Sequence, residues 1–142
     1  MESNRIRLEV ATPYRQVLDV EVDEVIAPGE EGQFGVLPDH TPFLTTITVG
    51  ELIYRQGNQM KHLAVSHGYA EVEYHRVTVL LDAAELPEEI DVDRAEAARR
   101  RAEGRLAELS QEDHDFYDAL AALDRAMNRL HIVKTRASQS KI

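Results

Sequence analysis

Ile90-Asp91-Val92-Asp93-Arg94-Ala95 divides this sequence into two architectures. Ahead of it, apolar and polar residues alternate in short runs broken by glycine and proline. After it comes alanine-rich sequence in which apolar residues recur every three or four positions. Asp91 is placed to cap the helix that follows, because its carboxylate can accept from the free N–H groups of the first turn. Arg94 projects from that same turn, so the hexapeptide is also a candidate ligand site.

Working back from it, Ile6, Leu8 and Val10 alternate with Arg7 and Glu9, the period of a half-buried strand ended by Thr12-Pro13. A second run, Val17 to Ile26, breaks phase at Asp23-Glu24, which predicts a bulge or corner. Between Pro28 and Pro42 there are three glycines and three prolines in 15 residues, which excludes a helix and predicts turns around a short strand from Phe34 to Leu37. Further strands are expected at 44–49, 52–55, 60–65, 69–74 and 77–82, separated by turn residues. Evenly spaced short strands indicate an all-β sandwich or barrel.

Working forward, Ala95, Ala98, Ala102, Leu106 and Leu109 share one helical face. Ser110 or Asp113 is a candidate cap for a second helix, where Phe116, Leu120, Leu123, Met127, Leu130 and Val133 repeat the pattern beside Ala119, Ala122 and Ala126. Two amphipathic helices with a short polar connection form an antiparallel hairpin, and the alanines let the axes approach closely. One seam buries little, and Gly104 weakens the first helix by about 1 kcal/mol relative to alanine, so the hairpin is expected to be detachable. The fold class is therefore α+β, with a β sandwich in residues 1–87 and a helical hairpin in 88–142.

The net charge of −10 is unevenly placed. Residues 1–89 hold 6 basic against 16 acidic residues, whereas 90–142 hold 10 of each. Beyond Asp124 the chain is purely basic: Arg125, Arg129, Lys134, Arg136 and Lys141. An acidic body argues against nucleic-acid binding, and the basic end argues for an acidic protein surface, a phosphate ligand or the chain's own body. No cysteine is present among the 142 residues, which rules out disulfides and thiolate chemistry. No apolar run approaches the roughly 18–20 residues that cross a bilayer, and Met1 to Arg5 leads straight into alternating sequence. A soluble chain is expected, associated with a membrane only through partners.

Candidate chemistry is sparse. The six histidines form no metal constellation; His62 and His67 share no face. Ser66-His67-Gly68 lacks the context of a nucleophilic elbow, no phosphate-binding glycine loop with its Lys-Ser/Thr is present, and the acid pairs Glu30-Glu31 and Glu88-Glu89 suit solvated turns. No catalytic site and no metal site is expected. Arg94 and Arg101, seven apart, share a face of the first helix, and Arg125 and Arg129, four apart, share one on the second. These are either solvated faces beside acidic neighbours or, if the helices fold back, converging guanidinium groups suited to a polyphosphate.

The run from Pro28 to Pro42, of the form P-G-x-x-G-x-F-G-V-L-P-x-H-x-P, is followed by Gly50-Glu51-Leu52, Gly68-Tyr69-Ala70-Glu71-Val72, Val77-Thr78-Val79-Leu80 and Ile90-Asp91-x-x-Arg94-Ala95. In this order and spacing, over nearly the full length, the chain resembles the epsilon subunits of rotary ATP synthases. The resemblance implies a ten-strand sandwich and a two-helix C-terminal domain in a noncatalytic central-stalk subunit. It implies as partners the gamma subunit, the membrane c-ring and, with the helices extended to block ATP hydrolysis, a catalytic beta subunit. Such a subunit sits peripherally at the cytoplasmic face of the bacterial inner membrane. The residues it assigns to partners are Gln33, His40, Arg125, Arg129, Lys134 and Arg136. No cofactor is required, but in some bacterial members the folded hairpin binds regulatory ATP through positions matching Glu85, Ile90, Asp91, Arg94, Ala95, Arg101, Arg125 and Arg129. The alternative role is thus an ATP-sensing module. Three positions depart from the family pattern: His67 and Asp39 stand where glycine is common, and Gln33 where some relatives are acidic.

Overall fold

Alternation in the first part resolves into ten strands in a computed structural model that describes residues 4–139, with side chains described to Thr135. They are β1 (Ile6–Ala11), β2 (Gln16–Val22), β3 (Glu24–Gly29), β4 (Gly32–Val36), β5 (Phe43–Ile47), β6 (Gly50–Gln56), β7 (Gln59–Val65), β8 (Gly68–Val72), β9 (Arg76–Leu81) and β10 (Ala84–Glu85). They bond in the order β10-β7-β6-β3-β5-β8-β9-β1-β2, with β4 added to β3. Only β1 and β9 run parallel among these pairs. One face turns inward and carries the core: Leu8, Val10, Val22, Val25, Leu52, Leu63, Val72 and Val79 are all but inaccessible.

The expected phase break at Asp23 separates β2 from β3. Asp23 bonds across to the β6–β7 turn, accepting from the Gly57 N–H at 2.7 Å. That bond, together with Arg5 and Arg55, holds its carboxyl below the usual range.

β3 is the corner of the sheet. It pairs with β4 along one edge, while on the other edge Glu24–Ile26 face β6 and Gly29 faces Ile47 of β5. Pro28 and Gly29, expected in a turn, belong to this strand. Proline is tolerated because the missing N–H is not called on, and its carbonyl accepts from the Thr48 N–H at 2.9 Å. β4 starts two residues earlier than the expected Phe34, since Gly32 takes a φ of 128° that closes the hairpin. Strand β10 has no counterpart in the sequence reading; two residues are too few to display a period.

The close approach of β8 to β9 explains why Gly68 is glycine. A Cβ there would lie 1.9 Å from the Leu80 carbonyl oxygen.

Two compact units divide between Leu86 and Pro87. In the second, a 3-10 turn (Pro87–Glu89) precedes α1 (Val92–Glu108) and α2 (Phe116–Gln139). α1 and α2 pack along one another, and the turn ahead of α1 also meets α2, so α2 returns along α1 as an antiparallel hairpin. Buried positions are Ala95 and Ala102 on α1, with Ala119, Ala126 and Ile132 on α2. The apolar stripe expected on α2 is therefore rotated: Leu120 and Met127 are exposed by 37% and 53%. Alanines take the centre because small side chains permit the closest helix approach, which displaces larger ones to the flank.

The expected cap of α2 also differs. The Asp113 carboxylate accepts from the Ser110 N–H at 2.8 Å, closing the connecting turn, while α2 begins three residues later at Phe116. Arg136 lies in α2, but its side chain, like Lys141, falls outside the described residues.

Gly68→Ala should destabilise the β unit by about 3 kcal/mol or more, the upper range for overpacking, because the clash is with backbone. Urea unfolding of the full chain followed by circular dichroism measures it.

Candidate functional site

The helical start builds the first candidate site from its own backbone. Asp91 adopts extended angles, φ −85° and ψ 106°, and its carboxylate accepts from the Arg94 N–H at 3.1 Å. The Asp91 carbonyl takes the first helical bond, from the Ala95 N–H at 3.0 Å. Just ahead, the Ile90 N–H donates to the Pro87 carbonyl at 3.2 Å, and the Ile90 side chain is buried. Ile90, Asp91 and the backbone of Arg94 and Ala95 thus have structural tasks, and the expected cap is in place.

Of the eight candidate nucleotide residues, seven lie in the helical unit. Ile90, Asp91, Arg94 and Ala95 cluster around the first turn of α1; Arg101 lies two turns on; Arg125 and Arg129 are on α2. Glu85 belongs to the β unit, on β10 opposite Ala64. Arg94 and Arg101 are exposed, Arg125 and Arg129 half-buried, and Ala95 is buried in the helix packing. At 100° per residue Arg105 falls on the same stripe as Arg94 and Arg101, and it too is exposed. Sequence reading missed it, although the spacing of seven and then four positions is its signature.

Arg99 stands apart. Its guanidinium bonds Glu96 at 2.6 Å and Glu103 at 2.9 Å, and these carboxylates raise its affinity for the proton, Glu96 first. Among the described residues no such ion pair holds the side chains of Arg94, Arg101 or Arg105. Three uncommitted guanidinium groups on one helical stripe offer an anionic partner charge-assisted bonds without first breaking internal ones.

The candidate partner residues are dispersed. Gln33 is exposed in β4, opposite Pro28. His40 is half-buried in the loop before β5, its Nδ1 donating to the Thr41 carbonyl at 2.7 Å and its ring 5.1 Å from that of Phe43. Beside it, Asp39 takes a φ of 67°, in the left-handed region. Its local partners offset that strain: Asn4 donates to Oδ2 at 3.2 Å, and His75 lies 3.6 Å from Oδ1. Lys134 is exposed on α2.

Sequence reading also missed an apolar face. Register sets Tyr69 directly opposite Leu80, with Leu44 on the next strand opposite Glu71. All three point outward, exposed by 60%, 55% and 70%. Three large apolar groups on one sheet face suit a protein surface. A depression lined by Glu30, Thr46, Ile47, His67, Gly68, Tyr69 and Asp82 adjoins it; its two carboxylates repel phosphate.

His114, Asp115 and Asp118 each bring a donor atom within 4.8 Å of the others, a grouping that histidine spacing alone did not reveal. All are exposed at the start of α2, where the positive helix end opposes a cation. Among the described residues no helix is long and apolar enough to cross a membrane.

The profile of the ATP synthase delta/epsilon chain beta-sandwich domain matches residues 5–87, and that of the long alpha-helix domain of the same chain matches 88–134. The chain is 52% identical over 130 residues to ATP synthase epsilon chain 2 of Syntrophotalea carbinolica, covering 92% of this chain and 94% of that one. It is 48% identical over the same length and shares to the ATP synthase epsilon chain of Geobacter metallireducens. Among solved structures, a chain of the Euglena gracilis mitochondrial ATP synthase superposes with a TM-score of 0.77 at 21% identity, over 91% of this chain and 81% of that one.

Asp91→Ala should cost the helical unit about 1 kcal/mol, the usual worth of a cap, whereas Asp91→Asn, which still caps, should cost little. Helicity by circular dichroism during thermal unfolding separates the two.

Proposed function

The chain belongs to the ATP synthase delta/epsilon chain family, and from that premise we propose that it is a noncatalytic rotor subunit that couples the gamma subunit to the membrane c-ring and restrains ATP hydrolysis through its C-terminal helices. The observation that carries this reading is the continuity of the likeness: both units match, in order, and 92% of the chain aligns at 52% identity. In this reading the protein is peripheral, held at the cytoplasmic face of the bacterial inner membrane by its partners.

The two units divide the work. The rigid β unit offers the outward face of Leu44, Tyr69 and Leu80 to gamma and the β3–β4 hairpin with Gln33, together with His40, to gamma and the ring. The hairpin of α1 and α2, whose buried positions are four alanines and one large apolar residue, Ile132, separates at modest cost. Extended, it presents Arg125, Arg129, Lys134 and Arg136 to an acidic segment of a catalytic beta subunit, where the resulting ion pairs hinder rotation in the hydrolytic direction.

A second role for the same hairpin is supported by the arginine stripe. ATP bound by Arg94, Arg101, Arg125 and Arg129, with Ile90, Asp91 and Ala95 at the adenine end and Glu85 beyond, favours the folded form by its differential affinity for the two states.

Removing the chain from Asp91 onward should leave a folded β unit that binds gamma and should raise the hydrolytic rate of the assembled complex; an unchanged rate sinks the restraint. In calorimetry of the free full-length protein, ATP should bind below millimolar concentration. Arg94→Ala should weaken it by at least about tenfold, as expected for one charge-assisted hydrogen bond of roughly 1.5–3 kcal/mol. No saturable heat in the wild type sinks the ATP reading and leaves the rotor reading standing.

A further inference from the structure

Strands β5, β8 and β9 bring together groups that lie far apart in the chain. Register sets Thr46, Tyr69 and Leu80 in one row. One step further along, the Asp82 N–H donates to the His67 carbonyl at 2.8 Å, so these two residues form the next row. β3 supplies another member: Gly29 is opposite Ile47, which delivers Glu30 to the end of β5. Together these residues line the depression beside the apolar face of Leu44, Tyr69 and Leu80.

Two carboxylates define its charge. Glu30 and Asp82 are exposed, and among the described residues neither is held by an ion pair. The lining includes no lysine or arginine. β5, β8 and β9 carry a single basic residue, Arg76 at the start of β9, and six extended residues set it roughly 20 Å from Asp82. Whatever covers the apolar face therefore meets a negative site at its rim.

Size and spacing narrow the choice of cation. The depression holds about 220 Å³, less than the roughly 300–1,000 Å³ of clefts that enclose small-molecule ligands. Among the described residues only His114, Asp115 and Asp118 bring three metal-ligating donor atoms within 4.8 Å of one another, so Glu30, His67 and Asp82 stand too far apart to chelate one ion together. A long side chain ending in an ammonium or guanidinium group, with donors spread over several N–H bonds, suits such a site. It also supplies what the apolar face lacks. Burial of Leu44, Tyr69 and Leu80 is non-directional, whereas a charge pair at the rim fixes the register of the partner.

We propose that this depression is the register site of the gamma-facing surface: a lysine or arginine side chain of the partner enters it and pairs with Glu30 and Asp82, while the partner's apolar residues cover Leu44, Tyr69 and Leu80. The inference rests on the reading of the β unit as the part that binds gamma.

Surface plasmon resonance tests it, with the full-length chain passed over an immobilised complex that contains gamma and the catalytic subunits but lacks this chain. Glu30→Gln combined with Asp82→Asn should weaken binding about tenfold, as for loss of a hydrogen bond between charged groups. Asp82→Lys should weaken it further than Asp82→Asn, because like charges then meet. The gap between wild type and the double variant should narrow between about 0.01 M and 1 M salt, as the screening length falls from about 30 Å to about 3 Å. Leu80→Ser should weaken binding at every salt concentration. Glu73→Gln, which removes an exposed charge just past the other end of β8, should bind like the wild type.

If the wild type does not bind, the gamma reading itself fails and this proposal with it. If the wild type binds but the double variant binds equally well, Glu73→Gln loses as much, or Leu80→Ser changes nothing, the proposal is overturned and the gamma reading stands. Self-association of the free chain in analytical ultracentrifugation, abolished by Leu80→Ser, makes a second copy the occupant and overturns it likewise.

Discussion

Pro28 has no N–H to donate, and its carbonyl accepts from Thr48; one residue on, Gly29 leaves room for the Gly32 carbonyl oxygen, which would lie 2.9 Å from any Cβ at that position. These two residues let β3 serve three neighbours, β4, β6 and β5. Without that corner the meander of β10, β7 and β6 would not connect to β5, β8, β9, β1 and β2. Both halves turn their apolar residues to one interior through it, so the burial of Leu8, Leu52, Leu63 and Val79 together depends on the geometry of a single short strand.

Electrostatics adds less to the β unit's stability than the number of its ion pairs suggests. Arg7 with Asp19 and Arg55 with Glu24 are partly exposed, and such pairs are worth little net of side-chain entropy. Charge is better read as a matter of partners. The acidic excess lies in the first part of the chain, while α1 carries guanidinium groups at Arg94, Arg101 and Arg105 without ion pairs among the described residues. Arg99, with the same chemistry, is committed to Glu96 and Glu103. The difference is one of placement around the helix: Arg99 has Glu96 and Glu103 three and four positions away on either side, whereas Arg101 has no acidic residue at those distances and the Asp91 carboxylate, three positions before Arg94, caps the helix backbone instead.

Much of this was legible along the chain. Period-two alternation located nine of the ten strands to within a few residues, because half-buried strands write their inside and outside in adjacent letters. Asp91 was legible as a cap for a similar reason, as its partner is only three residues away. The errors have one character. The stripe on α2 was centred on Leu120 and Met127 by hydrophobicity, whereas close packing buried Ala119 and Ala126. Asp113 bonds back to Ser110, a choice set by where α2 begins.

The candidate sites divide the same way. Arg94, Arg101, Arg125 and Arg129 can be paired by spacing within each helix, since a helix converts sequence distance into angle. The depression of Glu30, His67 and Asp82 could not be found like that, because its members stand at the ends of three strands whose register is set by the turns and bulges of the whole sheet. Nor could the outward face of Leu44, Tyr69 and Leu80, which looks like three isolated exposed residues until β5, β8 and β9 are aligned. The amino-acid sequence by itself determined what each segment is, through interactions within a few residues. Only the tertiary structure decided which segments share a face, because that depends on burial and register between residues far apart in the chain.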